Sequence, residues 1–199
     1  MNKNVALIAL GLVVSFPFFA RADDVIYDNG RPPRYFHGFE MTQWIEADDF
    51  RVSADATLTG VFFYDLEDPQ ALGYQGEIDW ILYADALGQP GTVLASGAAV
   101  GDQVTRILLH RNANGIYDHY SNSFQISPGV NLIAGTTYWL GLHNGPLTFT
   151  TRAEFYWQTT NRNKTSATHN DEAPFFDDEW ARISNQQQSF YLSGTTGLQ

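Results

Sequence analysis

The chain has 199 residues, 44% of them hydrophobic, and it contains 14 Phe, 10 Tyr and 5 Trp. That length is sufficient for one domain with a sizeable core. Only 11 Lys and Arg stand against 22 Asp and Glu, so the net charge of −11 argues against nucleic acids and anionic lipid surfaces as partners, since both require a basic face. Cysteine is absent, which excludes disulfides, thiolate metal sites and cysteine nucleophiles.

Residues 1–22 have the pattern of a secretory signal peptide. Lys3 precedes an apolar stretch over 5–19, and Ala20-Arg21-Ala22 provides the small residues of a cleavage site. The apolar stretch is about 15 residues long, shorter than the roughly 20 that a membrane-spanning helix needs. We therefore expect cleavage after Ala22, a secreted or extracellular mature domain over 23–199, and no membrane insertion or C-terminal anchor after cleavage.

Short aromatic and β-branched segments alternate with turn signals along the mature chain, which is the pattern of an all-β protein. The strands predicted, in chain order, are 25–27, 43–45, 49–53, 57–64, 77–84, 92–96, 103–109, 121–126, 136–142, 153–158 and 189–193. Turns are predicted at 87–91, 112–115 and 127–129, where Gly, Pro and Asn cluster. A long polar loop is expected over 159–188, with one helical turn near 177–182.

Two strands show which side chains are buried, because every second residue of a strand points to the same face. Ile78, Trp80 and Leu82 share one face of the strand over 77–84. Tyr138, Leu140 and Leu142 share one face of the strand over 136–142. One buried face per strand indicates two sheets packed together, so we predict a single two-sheet antiparallel β-sandwich that is jelly-roll-like.

Several segments resemble one group of bacterial exported domains. They are Tyr27-Asp28-Asn29-Gly30, Met41-Thr42-Gln43-Trp44, Leu82-Tyr83-Ala84-Asp85 with Gly88-Gln89-Pro90-Gly91, Gly135-Thr136-Thr137-Tyr138-Trp139-Leu140, and Leu142-His143-Asn144-Gly145-Pro146-Leu147. Together they are similar to the β-sandwich domains of exosortase-sorted (PEP-CTERM) surface proteins, here without the Pro-Glu-Pro sorting tail. The resemblance implies an exported protein that faces an extracellular matrix or glycan, and it transfers no catalytic residues.

A ligand-binding face is predicted from aromatic and polar residues that share strand faces. Trp139 and His143 lie on one face of their strand, and the strand over 153–158 follows in the chain and is expected beside it. Sugars stack on flat aromatic rings while polar groups bond to their hydroxyls. The residues expected at this face are Trp139, His143, Asn144, Glu154, Tyr156 and Trp180. The alternative is that these aromatics pack in the core or beneath the 159–188 loop.

A structural calcium ion is the most plausible cofactor, because exported proteins meet millimolar calcium and oxygen ligands suit it. Its candidate ligands are Asp28, in a tight acidic turn, and the adjacent pair Asp48 and Asp49. No segment matches the usual calcium-loop motif, and Asp28-Asn29-Gly30 also fits an ordinary turn.

The leading functional hypothesis is a secreted, non-enzymatic module that binds polysaccharide or another matrix component. One alternative is a structural matrix or surface protein that self-associates and has no small-ligand site. A second is a carboxylate-dependent glycan lyase or hydrolase, which would use two converging carboxylates. The acidic groups from which such a pair could come are Glu40 with Glu46, Asp48 with Asp49, Asp65 with Glu67, Glu77 with Asp79, and Asp177, Asp178 and Glu179.

Overall fold

The computed structural model describes residues 23–33, 37–111, 116–160, 170–174, 180–183 and 186–197. Apart from one 3-10 turn at Gly101–Gln103, the regular structure of these residues is all strand. The strands are β1 (Asp24–Asp28), β2 (Gly38–Glu40), β3 (Trp44–Arg51), β4 (Ala56–Glu67), β5 (Glu77–Asp85), β6 (Pro90–Val100), β7 (Thr105–Arg111), β8 (Asp118–Leu132), β9 (Thr137–Asn144), β10 (Phe155–Thr160), β11 (Asn170–Pro174), β12 (Ala181–Ile183), β13 (Gln187–Gln188) and β14 (Phe190–Thr196).

The strands form two antiparallel sheets, which confirms the predicted all-β sandwich. In the eight-stranded sheet, β4 is the central strand: β8 pairs with it along one edge, and β14 and then β10 pair with it along the other. β1 extends this sheet beyond β14, β7 extends it beyond β8, and β2 and β13 pair with β10. The six-stranded sheet has the order β12-β11-β3-β9-β5-β6.

One continuous apolar core lies between the two sheets. The six side chains predicted to be buried in it, Ile78, Trp80, Leu82, Tyr138, Leu140 and Leu142, all belong to this core and come from the six-stranded sheet. The eight-stranded sheet contributes Leu58, Val61, Phe63, Phe124, Phe155, Trp157, Phe190 and Leu192. The period-2 alternation that predicted the buried faces is therefore confirmed in both sequence segments.

Several predicted boundaries are wrong. The two strands predicted over 43–45 and 49–53 are one continuous strand, β3 (Trp44–Arg51), whose inner and outer faces are both largely buried. The predicted turn at 127–129 lies inside β8, in a bulge where the four residues 126–129 of β8 oppose the single residue Thr59 of β4. The predicted helical turn near 177–182 is incorrect for 181–182, which lie in β12. The predicted turn at 112–115 lies outside the described residues.

The predicted turn at 87–91 joins β5 and β6 as a hairpin. Leu87 and Gly88 have φ angles of 61° and 86°, and the Ala86 N–H donates to the Gln89 carbonyl at 2.8 Å. Within the described residues, no helix is long and apolar enough to cross a membrane.

Replacing Leu140 with Ala should lower the free energy of unfolding by about 2–5 kcal/mol, because Leu140 has no exposed surface and its loss leaves a cavity between the sheets. Urea unfolding of the purified domain measures this difference. Leu87→Ala is the matched control, since Leu87 is fully exposed at the hairpin tip, and its midpoint should equal that of the wild type. Equal midpoints for all three proteins would contradict the core assignment.

Candidate functional site

The outer face of β9, where the sequence predicted a ligand surface, is covered. Trp139 has 1% exposed surface and packs with Ala47, Ile81 and Tyr83 in a second, smaller apolar cluster. Its indole Nε1 donates to Asp85 at 2.9 Å. Trp139 therefore occupies the packing position that the alternative hypothesis described, and its ring is not available to a ligand.

His143 and Asn144 are also fully buried, and both hold neighbouring backbone in place. The two ring nitrogens of His143 lie 2.8 Å from the Gly145 carbonyl and 3.0 Å from the Thr42 carbonyl. The Asn144 side chain accepts from the Gln75 N–H and donates to the Gly73 carbonyl, each at 3.0 Å. These contacts anchor the loop before β5 and the turn after β9, so the two side chains serve the fold.

The other predicted ligand residues do not join Trp139. The expectation that β10 lies beside β9 is wrong, because β10 pairs with β4, β2 and β13 in the opposite sheet. Glu154 and Tyr156 therefore lie on the far side of the sandwich. Trp180 does fold over the six-stranded sheet, where its ring packs edge-on against Tyr83 at 5.5 Å and partly covers the Trp139 cluster.

The three carboxylates predicted to bind calcium do not converge. The exposed Asp28 caps its own turn by accepting the Gly30 N–H at 2.7 Å. Asp48 and Asp49 are consecutive in β3, so their side chains point to opposite faces of the sheet. Within the part of the chain that the structure describes, no group of three His, Asp or Glu side chains is arranged to hold a metal ion.

Asp48 instead links the two sheets. It is buried and accepts hydrogen bonds from the Gln188 N–H at 2.6 Å and from the Asn29 amide at 3.0 Å. Burial raises its pKa well above the usual value, and the neighbouring charge of Asp49 raises it further. Burial likewise raises the pKa of Asp49 to about 6, although a hydrogen bond from Gln187 opposes the shift.

The raised pKa of Asp49 makes stability pH-dependent. Its folded-state pKa of about 6 exceeds the ordinary value of 3.8, so the folded protein binds this proton more tightly than the unfolded chain does. The stability that this bound proton contributes is complete below the unfolded pKa, and it is lost as the pH rises through about 6. It is worth at most about 3 kcal/mol.

We therefore expect Asp49→Asn to gain stability relative to the wild type as the pH is raised from 4 to 7. Urea unfolding of both proteins at the two pH values measures the change. Asp102→Asn, which removes an exposed carboxylate in the 3-10 turn, is the control and should leave the pH dependence unaltered. A pH dependence that is identical in the wild type and Asp49→Asn would contradict the effect of burial.

The outer face of the eight-stranded sheet carries the aromatic surface that the six-stranded sheet lacks. Val61 and Phe63 of β4 point into the core, so Phe62, Tyr64 and Leu66 point outward. The Phe62 ring stacks on Tyr191 of β14, with centroids 4.1 Å apart, and meets Tyr64 edge-on at 5.0 Å. Both Phe62 and Tyr191 are partly exposed.

Three cavities follow one another along this outer face. The central cavity has a volume of about 370 Å³ and is lined by Arg31, Phe62, Tyr64, His110, His119 and Gln158, among others. A second cavity of about 370 Å³ shares Arg31 and Tyr64 with the first and extends to Tyr191. A third, of about 130 Å³, lies at the other end between His37, Leu66, Tyr117 and Tyr156. We call this surface the β4 face.

Tyr156 is held in a fixed position at one end of the β4 face. Its hydroxyl accepts from the Arg152 guanidinium at 2.8 Å and also contacts the Glu154 carboxylate, to which Arg152 is paired at 2.8 Å. The Tyr117 ring meets the Tyr156 ring edge-on at 5.7 Å. Glu154 has a φ of 54°, an unusual conformation for a residue other than glycine. The tyrosine is thus presented with its orientation already set.

Several of the carboxylates that the enzyme hypothesis requires make structural contacts. Asp65 and Glu67 both pair with Arg106, whose guanidinium lies 4.4 Å from the Tyr74 ring and 4.3 Å from the Tyr120 ring. Of the other candidate carboxylates, Glu40 accepts the N–H groups of Thr42 and Gln43, Asp79 accepts the Leu147 N–H, and Asp48 and Asp49 point apart. Residues 177–179 lie outside the described residues.

No family model and no curated protein matches this chain. The candidate site therefore rests on geometry alone.

Of the residues predicted from the sequence, Tyr156 belongs to the β4 face and Glu154 supports it. The sequence analysis did not identify Phe62, Tyr64, His110, His119 and Tyr191. The sequence of β4 did contain one indication of this site, because apolar residues occupy both faces of the strand. Alternation alone, however, does not distinguish an outer face that other segments cover from one that binds a ligand.

Proposed function

We propose that this protein binds an extracellular polysaccharide through the β4 face and does not transform it. The observation that carries the proposal is the row of aromatic rings on the outer face of one sheet, beside three cavities in succession. Aromatic rings provide apolar stacking surfaces, and a few fixed polar groups provide direction, which is the usual composition of a carbohydrate site. A chain of sugars can follow the row from Tyr191 toward Tyr156.

Polar groups that can bond to sugar hydroxyls lie between the rings. Ser121 and Gln158 line the central cavity, and the Gln158 amide lies 3.2 Å from Nδ1 of His119. Tyr156 is already oriented by Arg152 and Glu154, so binding would cost little side-chain entropy there. These features support binding to a preformed surface.

The proposed setting is outside the cell. The signal-peptide pattern over 1–22 supports export, and the resemblance to exosortase-sorted surface proteins supports a glycan-facing role. We also infer that the sandwich is of the jelly-roll type. The strand orders β1-β14-β4-β8 and β3-β9-β5-β6, between which the chain crosses repeatedly from one sheet to the other, support that inference.

The decisive substitutions are Phe62→Ala and Tyr156→Ala, tested separately. Each removes a partly exposed ring from the β4 face, so each should cost about 2 kcal/mol of binding free energy, or roughly thirtyfold in Kd. A glycan array identifies a bound polysaccharide, and affinity electrophoresis in a gel containing it measures retention.

Val93→Ala is the matched control, because Val93 is exposed on β6 of the opposite sheet. It should be retained as strongly as the wild type, and melting temperatures should show that all variants are folded. Retention of both folded ring variants at wild-type strength would exclude the β4 face as the binding surface.

Self-association remains a second candidate, favoured by a specific observation at one edge of the eight-stranded sheet. Within the described residues, β7 pairs only with β8, so its other edge is open. Ile107, Leu108 and Leu109 follow one another in β7 and are 55%, 42% and 52% exposed. An open edge with consecutive exposed apolar residues is suited to pairing with a strand of another molecule.

If copies pair through β7, Leu108→Lys should convert the wild-type assembly into monomers, since a charge on an edge strand opposes pairing. Light scattering coupled to size exclusion over a range of concentrations measures the mass. Leu72→Lys introduces the same charge at an exposed loop position and should leave the assembly intact. A wild-type protein that is monomeric at all concentrations would exclude this candidate.

A further inference from the structure

The central cavity of the β4 face differs in charge from the rest of the chain. Among the residues that line it are Arg31, His110 and His119, whereas none of its lining residues in the described part of the chain is Asp or Glu. The chain as a whole has twice as many acidic as basic residues. A cavity lined by cationic and titratable basic groups in so acidic a protein has a composition suited to a negatively charged ligand.

The two histidines form one group. His110 of β7 and His119 of β8 are paired across the strands, and their ring centroids are 5.9 Å apart. His119 is partly buried beside Gln158, whereas His110 is exposed. Arg31 completes the set from the segment after β1, and it also lines the adjoining cavity beside Tyr191.

Two acidic groups close to this cavity in the described structure already have partners. Asp118, next to His119 in β8, is paired with Arg111 at 3.3 Å. Asp28 lines the adjoining cavity, where its carboxylate accepts the Gly30 N–H. The other titratable groups that line the two cavities, among the residues that the structure describes, are the hydroxyls of Tyr64 and Tyr191, whose pKa values burial raises, so they stay neutral near pH 7.

We propose that the central cavity binds a carboxylate group of an acidic polysaccharide, with Arg31, His110 and His119 as the groups that recognise it. This proposal rests on the proposed function and names its ligand class as a polymer that contains uronic acid. Arg31 supplies a permanent positive charge, and the two imidazoles become donors on both nitrogens when protonated.

Binding should therefore strengthen as the pH falls. Burial, and to a lesser degree the nearby His110, lowers the pKa of His119, so this ring is neutral in the free protein near pH 7. A bound carboxylate favours the protonated ring, and by linkage the affinity for the carboxylate rises as the ring takes up its proton. A uronic acid keeps its own charge at pH 5, so the attraction persists there.

The test uses two ligands that differ only in the carboxylate: an oligomer of galacturonic acid and the same oligomer with its carboxylates reduced to alcohols. Isothermal titration calorimetry of the mature protein at pH 5 and pH 8 measures both affinities. We expect the acidic oligomer to bind about fivefold or more tightly at pH 5 than at pH 8. The reduced oligomer should bind more weakly than the acidic one and should show no such gain.

The variants separate the roles of the three groups. His119→Gln should abolish most of the pH-dependent gain, and Arg31→Gln should weaken binding of the acidic oligomer at both pH values. Arg51→Gln removes a positive charge from the opposite sheet and should behave as the wild type. His110→Gln is tested beside His119→Gln, because His110 is exposed, so this variant should fold, and removal of its imidazole should weaken binding of the acidic oligomer.

Equal affinities of the wild type for the two oligomers, or a pH-dependent gain that survives in both histidine variants, would overturn this proposal. Either result would leave binding of neutral polysaccharide by the aromatic rings intact. Failure of the proposed function has a different signature, in which the folded ring variants Phe62→Ala and Tyr156→Ala retain polysaccharide as the wild type does.

Discussion

The alternation of side chains along β4 is the constraint on which both the core and the candidate site depend. This 12-residue strand is bonded along both edges, so its register is fixed by β8 on one side and by β14 and β10 on the other. Val61 and Phe63 are thereby directed into the core, and Phe62 and Tyr64 are directed outward. A shift of one residue would exchange the two sets, and the apolar core would lose its rings.

Buried polar groups add a second constraint, because each must find its partner for the sheets to pack. Asp48 of the six-stranded sheet reaches Asn29 and the Gln188 backbone, which belong to the opposite layer. Within the eight-stranded sheet, Arg106 of β7 pairs with Asp65 and Glu67 of β4. Buried polar groups cost free energy to desolvate, and a misaligned pairing of the two sheets would leave Asp48 unsatisfied. Asp48 therefore favours one relative placement of the two sheets, and Arg106 favours one arrangement of strands within its own sheet.

The outer faces of the two sheets differ in what covers them. On the six-stranded sheet, Trp139 and Tyr83 lie beneath Leu147 and Trp180, and together they form a small second core. On the eight-stranded sheet, Phe62 and Tyr191 remain partly exposed beside open cavities. The outward-facing aromatic residues thus either pack in a small core or stay exposed beside cavities, and which of the two occurs depends on the chain segments that cross each face. Only the second face can present rings to a ligand.

The sequence by itself determined the fold class, most strand positions and the buried faces of β5 and β9, because alternation and turn residues are local properties. It also indicated that β10 presents Tyr156 on one face. It did not determine which strands are neighbours, since that depends on contacts between distant segments, and this is why β10 was placed beside β9.

The site required the tertiary structure for the same reason. The β4 face combines Arg31, Phe62, His110, His119 and Tyr191, which come from separate segments of the chain and meet only when the sheet forms. Whether an outward-facing aromatic is covered or exposed is likewise decided by distant residues, as Trp139 beneath Trp180 shows. Local patterns specify which face of a strand a side chain occupies, and only the packed chain specifies what that face meets.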